Sequence, residues 1–290
     1  MDKKIKLGLI GFGNMGTGHT ENIMGGKCPE VELVAICDIN PARIDYCKSQ
    51  YPDANFAYFT DAIEMLDSGL IDSCLVAVPH YDHTKYSIEC MKRGIHVMCE
   101  KPAGVYTKQV REMIAESEKH PEVVFGMMFN QRTNPVYRKM HELVHSGKYG
   151  EIRRTNWLIT NWFRSQAYYN SSDWRATWAG EGGGVLLNQC PHQLDLWQWI
   201  CGMPVKVLSK IKYGKWHDIE VDDDVTTYVE YANGATGTFI TTTGDGMGTN
   251  RFEIQMDKAK LVVEDDKLSV YEFEMSVDEF NKTNTNVFGN

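Results

Sequence analysis

The segment Gly11-Phe12-Gly13-Asn14-Met15-Gly16 constrains this chain more than any other stretch. Ahead of it, Ile5–Ile10 is a short apolar run that reads as a strand; behind it, Asn14–Met24 reads as a helix. A glycine-punctuated turn between strand and helix is the pattern of a dinucleotide-binding βαβ unit. The first glycine permits the tight turn, the second lets backbone approach a pyrophosphate, and the third lets helix and strand pack closely. The helix N-terminus then meets the anion with N–H groups that have no intrahelical partner. Such a motif is weak alone, and a glycine-rich turn that binds nothing is the plain alternative. The pattern also asks for an acidic residue past the second strand, and Asp38 stands there, after Val31–Cys37. A carboxylate at that place suits a ribose 2′-hydroxyl and repels a 2′-phosphate, so NAD is expected rather than NADP.

The alternation continues. The sequence predicts a helix over Pro41–Gln50, with Pro41 in its first turn, a weak strand near 56–58 and a helix over 61–66. A strand over 73–78 is stopped by Pro79, a helix runs over 82–93, and Gly94 separates it from a strand over 95–99. A helix over 108–119 and a strand over 123–127 follow. Strands apolar on both faces, alternating with helices, argue for a parallel sheet covered on two sides. The pattern changes near residue 150. Residues 152–163 read as one long alternating strand and 185–201 as one helix, while 225–231 and 235–243 read as a hairpin around Asn233-Gly234. Three more strands are expected at 251–256, 261–264 and 268–273, and a loose polar tail at 281–290. The expected organisation is an α/β dinucleotide-binding domain over 1–128 and an α+β domain with a mostly antiparallel open sheet over 129–290. The second face of that sheet calls for solvent or a partner subunit, so a homodimer or homotetramer through it is expected.

Charge and cysteines narrow the partners. The chain has 39 acidic residues against 30 Lys plus Arg, a formal charge of −9. Such a surface repels phosphate backbones and anionic lipid, so no nucleic-acid or membrane partner is expected. No apolar run approaches the ~20 residues of a membrane span. The basic start, through Lys3, Lys4 and Lys6, runs into a strand and glycines rather than a cleavable leader. The 8 cysteines include no C-x-x-C pair, and several lie in apolar runs such as Ala35-Ile36-Cys37. That usage fits free thiols in a reducing cytoplasm.

Further motifs fall into line: Val78-Pro79-His80 at a strand end, His83 on the next helix, and Gly94-Ile95-His96-Val97-Met98-Cys99-Glu100-Lys101-Pro102. Later come Gly182-Gly183-Gly184-Val185-Leu186-Leu187-Asn188, His192 and Asp195. Together these resemble the glucose–fructose oxidoreductase / inositol dehydrogenase / rhizopine-catabolism (Gfo/Idh/MocA) family over nearly the whole chain. The resemblance implies an N-terminal Rossmann domain followed by the antiparallel-sheet domain. It also implies oxidation of a secondary hydroxyl of a sugar, polyol or cyclitol with NAD(P), or the reverse reduction. By position, Lys101 matches the family's active-site lysine and His192 its acid/base histidine. The family usually has Asp four residues before that histidine. Here Asn188 stands instead, and an amide hydrogen-bonds but cannot supply negative charge to an imidazolium. The family usually continues past the sheet, so the chain is expected to be shortened at its C-terminus.

Candidate cofactor contacts are thus Gly11, Phe12, Gly13, Asn14, Met15 and Gly16, then Asp38 and Arg43, then Pro79, His80, His83, Glu100 and Lys101. Candidate catalytic residues are Lys101, His192 and Asn188. A histidine suits removal of the hydroxyl proton near neutral pH, and a fixed lysine cation suits the oxygen where alkoxide character develops. Glycines 182–184 would let the chain come close to nicotinamide or sugar. Pro191 suits a helix first turn, which puts Asn188 just outside the helix. Asp195, three residues after His192 on the same helical face, could orient the ring. The bland readings are a surface lysine, a helix-start histidine and a structural aspartate, with His80 and His83 lining a loop. The stretch from Trp157 to Trp178 is dense in aromatics, with Arg164 and Arg175 interleaved. Aromatic faces and arginine forks suit sugar rings and hydroxyls, or simply core packing. Tyr168, Trp174 and Arg175 join Asn188 and His192 as substrate candidates.

Three rivals remain. His141-Glu142-Leu143-Val144-His145 matches the H-E-x-x-H pattern of zinc hydrolases. No third ligand follows on a nearby helix, so no metal is expected. Asn188 leaves room for a cofactor-binding regulator without activity. A glycosidase that transiently oxidises its sugar and retains NAD is the third.

Overall fold

The computed structural model describes residues 4–288. The chain forms two units. One runs to Met128 and takes back Gly180–Gly182; the other holds Phe129–Ala179 and the chain from Gly183 on. The return of 180–182 to the first unit differs from a single cut after residue 128.

In the first unit the order is β1 (Ile5–Ile10), α1 (Asn14–Met24), β2 (Val31–Cys37), α2 (Pro41–Gln50), β3 (Ala57–Phe59), α3 (Ala62–Asp67) and β4 (Ser73–Val76). Then come α4 (His83–Lys92), β5 (His96–Cys99), α5 (Thr107–Lys119) and β6 (Phe125–Met127). The strands form one parallel sheet in the order β3-β2-β1-β4-β5-β6. Neighbouring residues along a strand enter different cores. Ile10, Cys37 and Val76 join one apolar cluster, while Leu9, Ile36 and Leu75 join another. That is the two-residue period of a strand with both faces covered. Side-chain caps start α2 and α3: Asn40 accepts from the Ala42 N–H, and Asp61 from those of Ile63 and Glu64. Burial pushes the thiols of Cys37 and Cys99 up to about 12, so they stay protonated as packing groups. The order reverses direction between β1 and β4, and in such sheets ligands bind outside the carboxyl ends of the strands. Gly11, Asp38, Pro79 and Lys101 follow the ends of β1, β2, β4 and β5.

The second unit opens with α6 (Pro135–His145), β7 (Ile152–Ile159), α7 (Gln166–Tyr169), a π-helical turn at Val185–Gln189 and α8 (Pro191–Cys201). It continues with β8 (Lys206–Tyr213), β9 (Asp222–Glu230), β10 (Thr236–Thr242), β11 (Asn250–Met256), β12 (Ala259–Glu264), β13 (Lys267–Glu272) and α9 (Val277–Thr283). The sheet order is β13-β12-β11-β7-β10-β9-β8, antiparallel throughout except for the β7–β10 pair. Its inner face buries Trp157, Phe239 and Phe252, with Leu196, Trp197 and Ile200 of α8 and Tyr137 and Met140 of α6 in the same core. The indoles buried there keep polar partners: Trp157 Nε1 donates to Asn250 Oδ1 at 3.0 Å and Trp197 Nε1 to Thr155 Oγ1 at 2.9 Å.

Four expectations change. β7 stops at Ile159, and an irregular stretch over 160–165 leads to the short helix α7. The expected helix over 185–201 is broken at Cys190, because Pro191 cannot donate to the preceding turn. β8 was not anticipated. The tail is partly ordered, since Ser276 caps α9 by accepting from the Glu279 N–H; residues 289–290 lie outside the described residues.

Candidate active site

At the fingerprint, backbone geometry excludes side chains at two of the three glycines. Gly11 has φ +95°, and a Cβ there would lie 2.5 Å from the Ala77 carbonyl oxygen. A Cβ on Gly16 would lie 2.0 Å from the Gly11 carbonyl oxygen. A Cβ on Gly13 would meet nothing within 4 Å. The loop is therefore closed where strand meets helix and open where a phosphate would approach. Gly13 offers no side-chain cap to α1, and the first turn carries no acidic residue. Its leading N–H groups thus remain available to an anion. Asn14 and Met15 are exposed beside this opening, whereas the Phe12 side chain is wholly buried and only its backbone faces the loop.

Asp38 and Arg43 both hold that backbone. Asp38 Oδ2 accepts the Phe12 N–H and Oδ1 the Asn40 N–H, each at 2.8 Å. Two bonds leave a carboxylate with spare lone pairs for ribose hydroxyls. Arg43 donates to the Phe12 carbonyl at 2.6 Å and to Thr17 Oγ1 at 3.2 Å, and lies over the Tyr46 ring. It braces the loop from behind. These residues fit a dinucleotide.

Further along the sheet edge, Glu100 is 4% exposed. Its Oε1 sits 2.6 Å from His19 Nε2, and its Oε2 accepts the Lys101 N–H at 3.1 Å. Burial would raise this carboxyl, but His19 and the Lys101 amide hold it below the usual glutamate range. His19 was not among the candidates; its signal was its place one helical turn after Gly16. His83 Nδ1 lies 2.6 Å from the Pro102 carbonyl oxygen and Nε2 2.8 Å from that of Val78. Burial lowers its pKa. It ties the β4 end to the Lys101–Pro102 step, whose peptide is cis, and so braces Lys101 rather than presenting a contact surface. His80, buried after Pro79, places Nδ1 2.9 Å from the Glu181 carbonyl oxygen.

In the second unit, Pro191 opens α8 and His192 is its second residue. His192 is half-buried, with its ring edge-on to Phe129 at 6.0 Å. Asn188 belongs to the preceding π-helical turn, which buried Asp222 secures. The two oxygens of Asp222 accept the N–H groups of Gly184 at 2.8 Å and Leu186 at 2.9 Å. The substrate candidates from distant stretches meet at Tyr168. Its hydroxyl oxygen accepts from Arg175 Nη1 at 2.7 Å and from Asn188 Nδ2 at 3.4 Å. Arg175 in turn lies over Trp174 at 4.8 Å. Asp195 corrects the expectation made for it. Arg132 binds both its oxygens, Nε to Oδ2 at 2.7 Å and Nη2 to Oδ1 at 2.6 Å. This carboxylate is committed to a bidentate pair rather than to the His192 ring.

The H-E-x-x-H segment is used for packing. His141 stacks on Trp199 with centroids 3.9 Å apart, and Glu142 pairs with Lys139. Among the described residues no group of three His, Cys, Asp or Glu is placed to hold a metal.

Residues 5–127 match the profile described as "Oxidoreductase family, NAD-binding Rossmann fold". Residues 137–262 match the "GFO/IDH/MocA C-terminal domain". The chain belongs to the GFO/IDH/MocA family. Among its relatives, the inositol 2-dehydrogenase of Corynebacterium glutamicum is 23% identical over 237 residues, covering 81% of this chain and 66% of the relative. The myo-inositol 2-dehydrogenase of Thermotoga maritima is 28% identical over 240 residues, covering 80% of this chain and 67% of the relative. The chain therefore spans about two thirds of the length of these curated relatives. Among solved structures, the WlbA dehydrogenase of Chromobacterium violaceum, in complex with NADH and UDP-GlcNAcA, superposes with TM-score 0.85 at 26% identity. That match covers 97% of this chain and 81% of the other. A levoglucosan dehydrogenase in complex with NADH has TM-score 0.82 at 21% identity, covers 95% of this chain and 78% of its own, and shares the fold. The Gfo/Idh/MocA assignment agrees with the Glu100-Lys101-Pro102 and Gly182-to-His192 motifs. No described helix is long and apolar enough to cross a membrane.

Proposed function

We propose that this chain is an NAD-dependent dehydrogenase acting on a secondary hydroxyl of a sugar, polyol or cyclitol. The observation that carries the reading is the glycine loop before α1, open only at Gly13, with Asp38 fixed beside it. Relatives named as inositol dehydrogenases supply the substrate class. Bound NAD supplies the hydride acceptor. His192 takes the hydroxyl proton, and Lys101 holds a positive charge at the oxygen as it becomes alkoxide-like. Asn188 hydrogen-bonds the substrate or the ring, and Tyr168, Trp174 and Arg175 shape the sugar subsite. Because residue 188 is an amide, the imidazolium formed at His192 gains no charge from that position. Asp38 favours NAD over NADP.

We further propose a cytoplasmic homo-oligomer built on the outer face of the second sheet. That face carries paired apolar positions, with Leu208 opposite Tyr228, among cross-strand ion pairs such as Lys206–Glu230 and Lys260–Glu253.

The test is NAD reduction, followed by absorbance, over a panel of sugars and cyclitols. Lys101→Ala should lose most turnover and still bind NADH; undiminished turnover removes Lys101 from the mechanism. NADH binding with no turnover on any sugar or cyclitol would point instead to the non-catalytic regulator. Glycoside cleavage without net NADH would point to the redox-neutral glycosidase.

A further inference from the structure

Two arginines of the aromatic stretch meet at the Tyr168 ring. The guanidinium carbon of Arg175 lies 4.4 Å from the Tyr168 ring centroid, and that of Arg164 lies 5.1 Å from it. Two like charges thus share one ring, whose hydroxyl contacts Asn188. Arg164 is the more informative of the two. It is half-buried, and its one side-chain hydrogen bond runs from Nη1 to the carbonyl of its own neighbour Phe163 at 2.9 Å. Among the described residues it makes no ion pair.

Its backbone is held rigidly. The Arg164 N–H donates to the Thr243 carbonyl at 3.0 Å, and its carbonyl lies 2.8 Å from His217 Nε2. His217 leads on to the wholly buried Asp223, whose carboxylate is engaged by its own loop. It accepts the N–H groups of Lys215 at 2.9 Å and Trp216 at 2.8 Å, and meets His217 Nδ1 at 3.2 Å. Asp223 fastens the loop through His217, and it makes no direct ion pair with Arg164. Trp162, 5.7 Å from the guanidinium carbon, gives the side chain a second flat surface to rest on. The result is a half-buried guanidinium on a well-held backbone, beside the proposed sugar subsite and with no oxyanion partner among the described residues. A planar guanidinium in that condition is matched to carboxylate or phosphate.

We propose that the substrate of this site is anionic: a polyhydroxylated ring or chain bearing a carboxylate or phosphate, which Arg164 receives while the reacting hydroxyl lies by Tyr168 and Asn188. This rests on the dehydrogenase reading above and narrows its substrate class.

The test compares initial rates of NAD reduction with D-glucuronate and D-galacturonate, with D-glucose 6-phosphate, and with D-glucose, D-galactose and myo-inositol. Wild type, Arg164→Gln and Arg164→Lys are each assayed, and thermal melts with and without NADH verify that the variants fold and bind cofactor. Wild type should use an anionic compound with higher kcat/KM than its neutral counterpart. In Arg164→Gln that ratio should fall about tenfold or more, the range for losing one hydrogen bond to a charged group, mostly through KM. Arg164→Lys should recover part of it. The uronate and phosphate arms tell a carboxylate from a phosphate. A wild-type preference for neutral compounds, or a ratio unchanged in Arg164→Gln, overturns the proposal and leaves the dehydrogenase reading standing. No turnover of any compound by NADH-binding wild type removes both.

Discussion

A single methyl group separates the roles of two neighbouring glycines. At Gly16 an added Cβ would lie 2.0 Å from backbone oxygen, whereas at Gly13 it would enter open space. Gly16→Ala should therefore destabilise the fold by ~1–3 kcal/mol, the usual cost of overpacking, and lower the melting temperature. Gly13→Ala should melt with wild type and still bind NADH more weakly, because its methyl occupies the phosphate approach. A fluorescence titration with NADH beside a thermal melt separates the two effects. Asp38→Ala should shift affinity from NAD toward NADP; an unaltered preference would refute the ribose assignment. These residues were legible because strand, turn and helix lie in one contiguous stretch. Asp195 was not, since its partner Arg132 lies 63 residues away and no local spacing points to it. Arg43 was expected at the cofactor, but its grip on the Phe12 carbonyl was not legible, since it depends on how α2 packs.

Helix α1 meets the residue after β5 through His19 and the buried Glu100, one residue before Lys101. Removing the histidine should leave a buried carboxylate with the Lys101 N–H as its remaining hydrogen bond. His19→Ala is expected to cost ~1–3 kcal/mol, the range for losing a hydrogen bond to a charged group. The pH dependence follows from Glu100. Its folded pKa is depressed, so its contribution is present above the unfolded value and is lost as pH falls through the folded one. In His19→Ala that loss should begin at higher pH, read as an acid-unfolding midpoint displaced upward; an unmoved midpoint would show that Glu100 does not depend on His19. Elements were legible where burial imposes a clear period, as in β1, β2, α1 and α2. β8 was missed because it is an edge strand whose lysines at 206, 210 and 212 dilute the apolar pattern. Such charges discourage edge-to-edge pairing. α9 carried a readable cap in Ser276-Val277-Asp278-Glu279, just ahead of the stretch 281–290 that composition marks as tail.

At the scale of the whole molecule, each unit has its own apolar core and each holds part of the proposed chemistry. The first has the glycine loop, Asp38 and Lys101; the second has His192, Asn188 and the Tyr168 cluster. Variants should divide accordingly. His192→Ala should abolish turnover with NADH affinity preserved, whereas Gly13→Val should abolish NADH binding while leaving the second unit folded. Sequence could place these groups on their elements but not predict that Tyr168, Arg175 and Asn188 would touch, because that contact depends on where the π-helical turn and α7 come to rest. The central claim is that the loop at Gly11, Gly13 and Gly16 binds NAD. Titration of the purified protein with NADH, followed by energy transfer from tryptophan to the nicotinamide, tests it most directly. Saturable binding in wild type that disappears in Gly13→Val is the predicted result. Absence of saturable binding in wild type, or equal binding in the variant, would contradict it.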